Sequence, residues 1–190
     1  EGERPTNTYD NCWYERAMTD YFTQPLAHNA NPINHCRLIP FWQLYLYLSK
    51  VKEMDFYPDL LETIRRTPDP ETAGLCQLEF IKKACKVSNM DLTPFFEKYG
   101  FLTPIEKEVN DYGKKKFVIT KKQIEETKKE IASGNYKKVN IPFWYISDYT
   151  VPFFRNPQPV STGTAICKGN TFTMYNWNRV VAYEVYQKGK

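Results

Sequence analysis

The stretch Pro40-Phe41-Trp42-Gln43-Leu44-Tyr45-Leu46-Tyr47-Leu48 constrains this chain most, because it puts apolar or aromatic side chains on every side of any helix it forms. Such a helix must be buried all round. A short apolar run also suits a strand, but Pro40 fits a first helical turn and the run continues through Ser49 and Lys50 to Val51, which is helix length. The reading is a buried central helix, with Phe41, Trp42, Leu44 and Leu48 as structural core. Gln43, the one polar side chain in its middle, then needs hydrogen-bond partners inside the fold.

Helical spacing begins near Trp13, with Trp13, Ala17, Tyr21 and Met18 forming a stripe that ends before Pro25. Pro25 to Asn34 reads as a loop, and both histidines, His28 and His35, lie in or beside it. Pro58 and Asp59 open a short helix through Arg66. Asp69 as cap and Pro70 at the first helical position predict a longer helix to about Ser88. Its apolar face is Leu75, Leu78, Ile81 and Cys85, widened by Phe80, Ala84 and Val87. Asp91 to Tyr99 gives another short helix, stopped by Gly100. Thr103 to Ile119 reads as a hairpin turning near Asn110 to Gly113. Thr120 and Gln123 form a capping-box signature, bracketed by the staple pair Ile119 and Ile124, for a helix that ends at Gly134. Strands are expected near Phe143 to Ile146, Thr164 to Cys167, Thr171 to Tyr175 and Val180 to Tyr186. Pro-Phe-Trp occurs at 40 to 42 and at 142 to 144, but the flanks differ and no repeat follows.

The expected fold class is therefore α+β: a helical subdomain around a buried central helix, then a smaller β-rich carboxyl-terminal segment. The organisation predicted is a polar leader over 1–12, a helical lobe over 13–134 carrying the hairpin near 103–119, and the β-rich segment over 135–190. At 190 residues and 42% hydrophobic, the chain can build one good core.

The formal charge is +4, and the densest basic cluster, Lys114 to Lys116, falls in the hairpin. A solvated turn explains it better than a nucleic-acid patch, since no aromatic-basic binding motif accompanies it. No stretch approaches the ~20 apolar residues of a membrane span, and no secretory apolar region stands at the amino terminus. The chain reads as soluble, and because it starts at Glu1 rather than methionine, something upstream is expected to have been removed.

The five cysteines show no CxxC spacing. Cys76 and Cys85 lie nine positions apart on one helix, roughly 13 Å at ~1.5 Å per residue, too far to pair. A Cys12–Cys36 disulfide stays open, beside the default of buried thiols acting as small apolar side chains.

No HExxH, Walker A loop, GxGxxG or GxSxG is present. His28, His35 and Cys12 or Cys36 lack structural-zinc spacing, so no residue is assigned a catalytic or metal-binding role. His35 reads better as a hydrogen-bonded histidine at a helix start. Glu79 interrupts an apolar face and reads as solvated or ion-paired. Aromatics crowd the last third, and Trp144, Tyr149 and Trp177 are the candidates for contact with sugar rings, with packing as the competing explanation.

Arg37 to Tyr47, Asp55 to Leu60, Gln77 to Phe80 and Asp91 to Leu102 resemble, in order and spacing, the enhancin-like zinc metallopeptidases, the mucin-targeting gluzincins of gut bacteria such as Bacteroides. The resemblance continues through Ile119-Thr120 with Gln123-Ile124, Tyr145 to Asp148 and Val180 to Val185. In that family zinc is held by the two histidines of HExxH and a downstream glutamate, and the motif's own glutamate serves as general base. The resemblance thus implies zinc for the full-length protein and no cofactor in this chain. It implies an upstream zinc-binding lobe of the same protein as partner, a mucin-type glycoprotein as substrate, and an extracellular or bacterial-surface location.

Two functions follow. One is a carboxyl-terminal, non-metal-binding portion that supports the cleft rather than doing the chemistry. The alternative is a non-catalytic glycan-binding or adhesion module with the same fold.

Overall fold

A computed structural model describes residues 12–24, 26–110, 114–161, 163–169 and 171–182. Helices come first: α1 Cys12–Phe22, α2 Asn34–Leu44, α3 Phe56–Arg65, α4 Ala73–Ser88, α5 Thr93–Lys98 and α6 Lys121–Ser133, with short α7 at Val151–Arg155. The strands are β1 Met90–Asp91, β2 Ile105–Asn110, β3 Lys114–Ile119, β4 Lys137–Lys138, β5 Thr164–Lys168 and β6 Thr171–Tyr175. They make three two-stranded sheets: parallel β1–β4, and the antiparallel hairpins β2–β3 and β5–β6. The class is α+β, helices first and the last hairpin at the carboxyl end.

The central helix departs from the sequence expectation in three ways. It begins at Asn34, six residues before Pro40, which sits inside it. There the ring has no N–H to donate and crowds the carbonyl four residues back. Beyond Leu44 the backbone widens into a π-helical stretch, Tyr45–Val51, where Lys52 N–H donates to Tyr47 O at 3.0 Å. Glu53, at φ 56°, ends it.

Third, the helix is not buried all round. Leu44 and Leu48 are fully buried, Phe41 is half-buried, Leu38 is 60% exposed and Trp42 is 44% exposed. Trp42 is therefore not core. Aromatic character gave the expectation of burial, but an indole carries a polar edge that a surface carboxylate can hold.

The core is a nest of rings. Phe143 is sandwiched between Tyr47 (centroids 4.2 Å, 9°) and Phe95 (4.7 Å, 7°). Phe41 meets Phe80 and Phe101 edge-on. Leu60, Leu78, Ile81, Leu92 and Ile119 close it with aliphatic surface from α3, α4, the start of α5 and the hairpin.

The Phe143 to Ile146 strand is overturned: Phe143–Tyr145 is a single 3₁₀ turn. A strand there would need the Trp144 and Ile146 carbonyls for a ladder. Instead both accept from the buried Gln43 amide, at 2.8 and 2.9 Å. Gln43, the residue after the first Pro-Phe-Trp, thus bonds to the Trp144 carbonyl of the second.

The α4 start is also displaced. Asp69 and Pro70 precede it, and the cap is Thr72, whose hydroxyl accepts from Leu75 N–H. Gly74, in the first turn, passes so close to β3 that a Cβ would stand 1.9 Å from Val118 O. Gly100 follows α5 at φ 68°, and a Cβ there would stand 2.0 Å from Leu26 O. Only glycine suits both the dihedral and the space.

The capping box of α6 is formed as its sequence predicts: Gln123 N–H donates to the Thr120 hydroxyl, and Thr120 N–H donates to Gln123 Oε1 at 2.8 Å. The strands at Thr164 and Thr171 are present with one-to-one register. Val180 to Ala182 is not strand, and the rest of that predicted strand lies outside the described residues. So do most of the leader and most of the β2–β3 turn.

Cys36 and Cys85 are buried, but Cys76 and Cys167 are exposed, which corrects the expectation of buried thiols for the latter two. Burial pushes the Cys85 thiol up to about 12. The Cys12 side chain, and with it the Cys12–Cys36 question, lies outside the described residues.

Candidate functional site

Gln43 organises the site. It is fully buried, and besides its two bonds to the 143–146 turn its Oε1 accepts from Tyr99 O–H at 2.5 Å. The three contacts clamp the turn onto α2. The chain leaving it is tightened by Thr150 Oγ1, which accepts from Ser147 N–H at 2.7 Å. Together these fix Asp148 beside Trp42.

At that corner Asp148 Oδ2 accepts from Tyr14 O–H at 2.7 Å and from Trp42 Nε1–H at 3.3 Å. Burial, with a smaller contribution from the Asp148 carboxylate, raises the Tyr14 phenol well above its ordinary value. Tyr14 is therefore a permanent donor. The Trp42 ring leans on Tyr45 at 5.0 Å and 31°. The corner offers an exposed indole, a second ring and a carboxylate held by two donors. Its exposed indole edge and carboxylate can bind a polar ring.

The three sugar-contact candidates do not gather. Trp144 is half-buried and lines an open hollow of about 550 Å³ with Tyr21, Phe22, Pro94, Glu97 and Lys98. Its Nε1 is buried with no hydrogen-bond partner among the described residues. Tyr149 follows Asp148 in sequence and is 47% exposed. Trp177 stands apart beyond β6, its Nε1–H donating to Thr164 O at 3.3 Å. Sequence reasoning missed Trp42 and Asp148 as a site. The signal was there in an indole on a helix whose neighbouring Gln43 already demanded a partner, but nothing local links positions 106 residues apart.

The two histidines sit in different aromatic settings. The His28 ring is buried, stacked on Phe101 at 3.8 Å and on Tyr21 at 5.7 Å, with Phe41 edge-on. Burial lowers it to about 3, Arg37's charge adding to the effect. His35 stacks on Trp13 at 4.6 Å. Among the described residues no three His, Cys, Asp or Glu side chains converge as a ligand set. Glu79 pairs with Lys82, which also bonds Glu130 at 2.7 Å.

The fold is α+β with an aromatic corner at Trp42, Tyr45 and Asp148. The family model for peptidase M60, enhancin and enhancin-like proteins matches residues 3–100, and the chain belongs to that family. A solved metallopeptidase in complex with Tn antigen is similar at TM-score 0.73 and 23% identity, over 93% of this chain and 37% of its own. A metallopeptidase from Bacteroides thetaiotaomicron is similar at 0.71 and 25%, over 83% and 32%. A protein of unknown function from Bacillus anthracis is similar at 0.54 and 24%, over 78% and 26%. The chain thus spans about a third of the two metallopeptidases. Among curated proteins nothing matches significantly.

Proposed function

We propose that this chain is the carboxyl-terminal, non-metal-binding portion of a secreted or surface zinc metallopeptidase acting on mucin-type glycoproteins. Its role is to support the cleft while an upstream lobe supplies the zinc and the general base. The observation that carries the reading is the match over 93% of this chain to only 37% of a metallopeptidase bound to Tn antigen, a glycan. Family membership over residues 3–100 supports it. A gluzincin centre needs three protein ligands around a free water position, and His28 is instead packed among the rings of Phe101 and Tyr21.

The test is metal analysis after dialysis together with a glycopeptide cleavage assay, with and without chelator. It is run on the intact protein and on the 190-residue chain. Zinc and chelator-sensitive cleavage only in the intact protein is the expected result. One zinc per chain with cleavage by the 190-residue chain alone overturns the supporting role. Neither zinc nor cleavage in the intact protein overturns the peptidase reading in favour of a glycan-binding or adhesion module.

A further inference from the structure

We infer that the hollow between α7 and the segment after β6 is a binding site for a small aryl carboxylate, an aromatic ring joined through a short alkyl chain to a carboxylate that pairs with Arg179. The site is independent of the peptidase reading. The hollow holds about 330 Å³, walled in part by Tyr145, Phe153, Phe154, Val160 and Val181, and Arg179 is the one charged side chain among the described residues that line it. Small-molecule sites have this composition, mostly apolar with a few placed polar groups, and this volume stands at the small end of their range.

The walls are tied in place. Arg155 Nε–H donates to Lys50 O at 2.7 Å, which holds α7 against the π-helical stretch, and Phe154 meets Tyr47 edge-on at 6.5 Å. On the opposite side Ser161 and Asn178 exchange both backbone hydrogen bonds, at 3.2 and 2.9 Å. That bridge brings their neighbours Val160 and Arg179 into the wall together. Arg179 has φ 60°, a left-handed backbone that a non-glycine residue keeps only where its surroundings hold it. Its guanidinium lies 4.9 Å from the centre of the Phe153 ring, and Nη2–H donates to Asn156 O at 2.8 Å. A guanidinium carries five N–H donors, and among the described residues nothing else accepts from this one. A planar cation held this way takes a carboxylate through two parallel hydrogen bonds. The rings of Tyr145, Phe153 and Phe154 beside it favour an aromatic body over a plain alkyl chain, because ring pairs gain from edge and face contacts beyond the area they bury.

The experiment titrates the intact protein with 3-phenylpropionate, 3-phenylpropanamide and octanoate, by calorimetry and saturation-transfer NMR. The expected result is one site half-saturated by 3-phenylpropionate at about 1 mM or below, with the neutral amide about tenfold weaker. Arg179→Gln should bring the acid down to the level of the amide and leave the amide unchanged, which separates loss of the charge from loss of the fold. Phe153→Ala should weaken both. If Arg179→Gln loses both ligands, Arg179→Lys decides: a restored preference for the acid supports the site, and no preference overturns it. Absence of saturation, equal affinity for acid and amide, or acid binding untouched by Arg179→Gln overturns it as well. Octanoate binding more tightly than 3-phenylpropionate overturns the aromatic assignment and makes the ligand an alkyl chain. Binding seen only after deletion of residues 183–190 overturns the site, because the end of the chain is then its occupant.

Discussion

Gln43 meets no solvent, and both ends of its amide are bonded: the nitrogen to two backbone carbonyls and the oxygen to the Tyr99 hydroxyl. Replacing it with leucine strands those groups in the core. The expected loss is about 2–4 kcal/mol, read as a lower denaturant midpoint with an unchanged slope. Trp42 gives the opposite expectation. A fully buried indole lost to alanine costs about 3–5 kcal/mol, but this ring is 44% exposed and makes one long hydrogen bond. Trp42→Ala should cost about 1–2 kcal/mol, measured in the same titration. The two substitutions, one position apart, separate a structural residue from a surface one.

At the scale of elements, the reciprocal bonds of Thr120 and Gln123 formed as their spacing predicts, whereas the cap expected at Asp69 gave way to Thr72. Thr120→Ala removes one half of that box and should cost about 1 kcal/mol, again by chemical denaturation. Elements failed where a distant group claimed the backbone. The 143–145 turn is rich in strand-favouring aromatics, yet Phe143 fills a slot between Tyr47 and Phe95 and the next carbonyls go to Gln43. Pro40 sits within α2 because the preceding turn starts at Asn34, just past Ile33, whose N–H donates to the Asn31 side chain at 2.9 Å. Proline's preference for the first helical turn is a weak guide when tertiary packing fixes the start elsewhere.

For the whole molecule, His28 couples stability to pH. Burial lowers its folded value from 6.5 to about 3, so between those two pH values the unfolded chain binds a proton that the folded chain refuses. Stability from neutral His28 is full above about 6.5 and falls as pH drops toward about 3. From pH 7 to pH 5 the loss should be about 2 kcal/mol. Denaturation at the two pH values checks it, and His28→Phe should flatten the difference while keeping a ring against Phe101. No helix among the described residues is long and apolar enough to cross a membrane.

The sequence by itself determined the α+β order, the α6 start, the two antiparallel hairpins, the end of α5 at Gly100 and the need for a partner at Gln43. These depend on side-chain spacing, on caps within four residues and on a glycine where φ must be positive, all of which are written locally. Tertiary structure alone decided which face of α2 stays open, that Trp42 is surface and Leu44 core, that the aromatic run after Pro142 coils, and that Tyr14, Trp42 and Asp148 meet. Burial depends on what packs opposite a side chain, and the partners here lie more than a hundred residues along the chain.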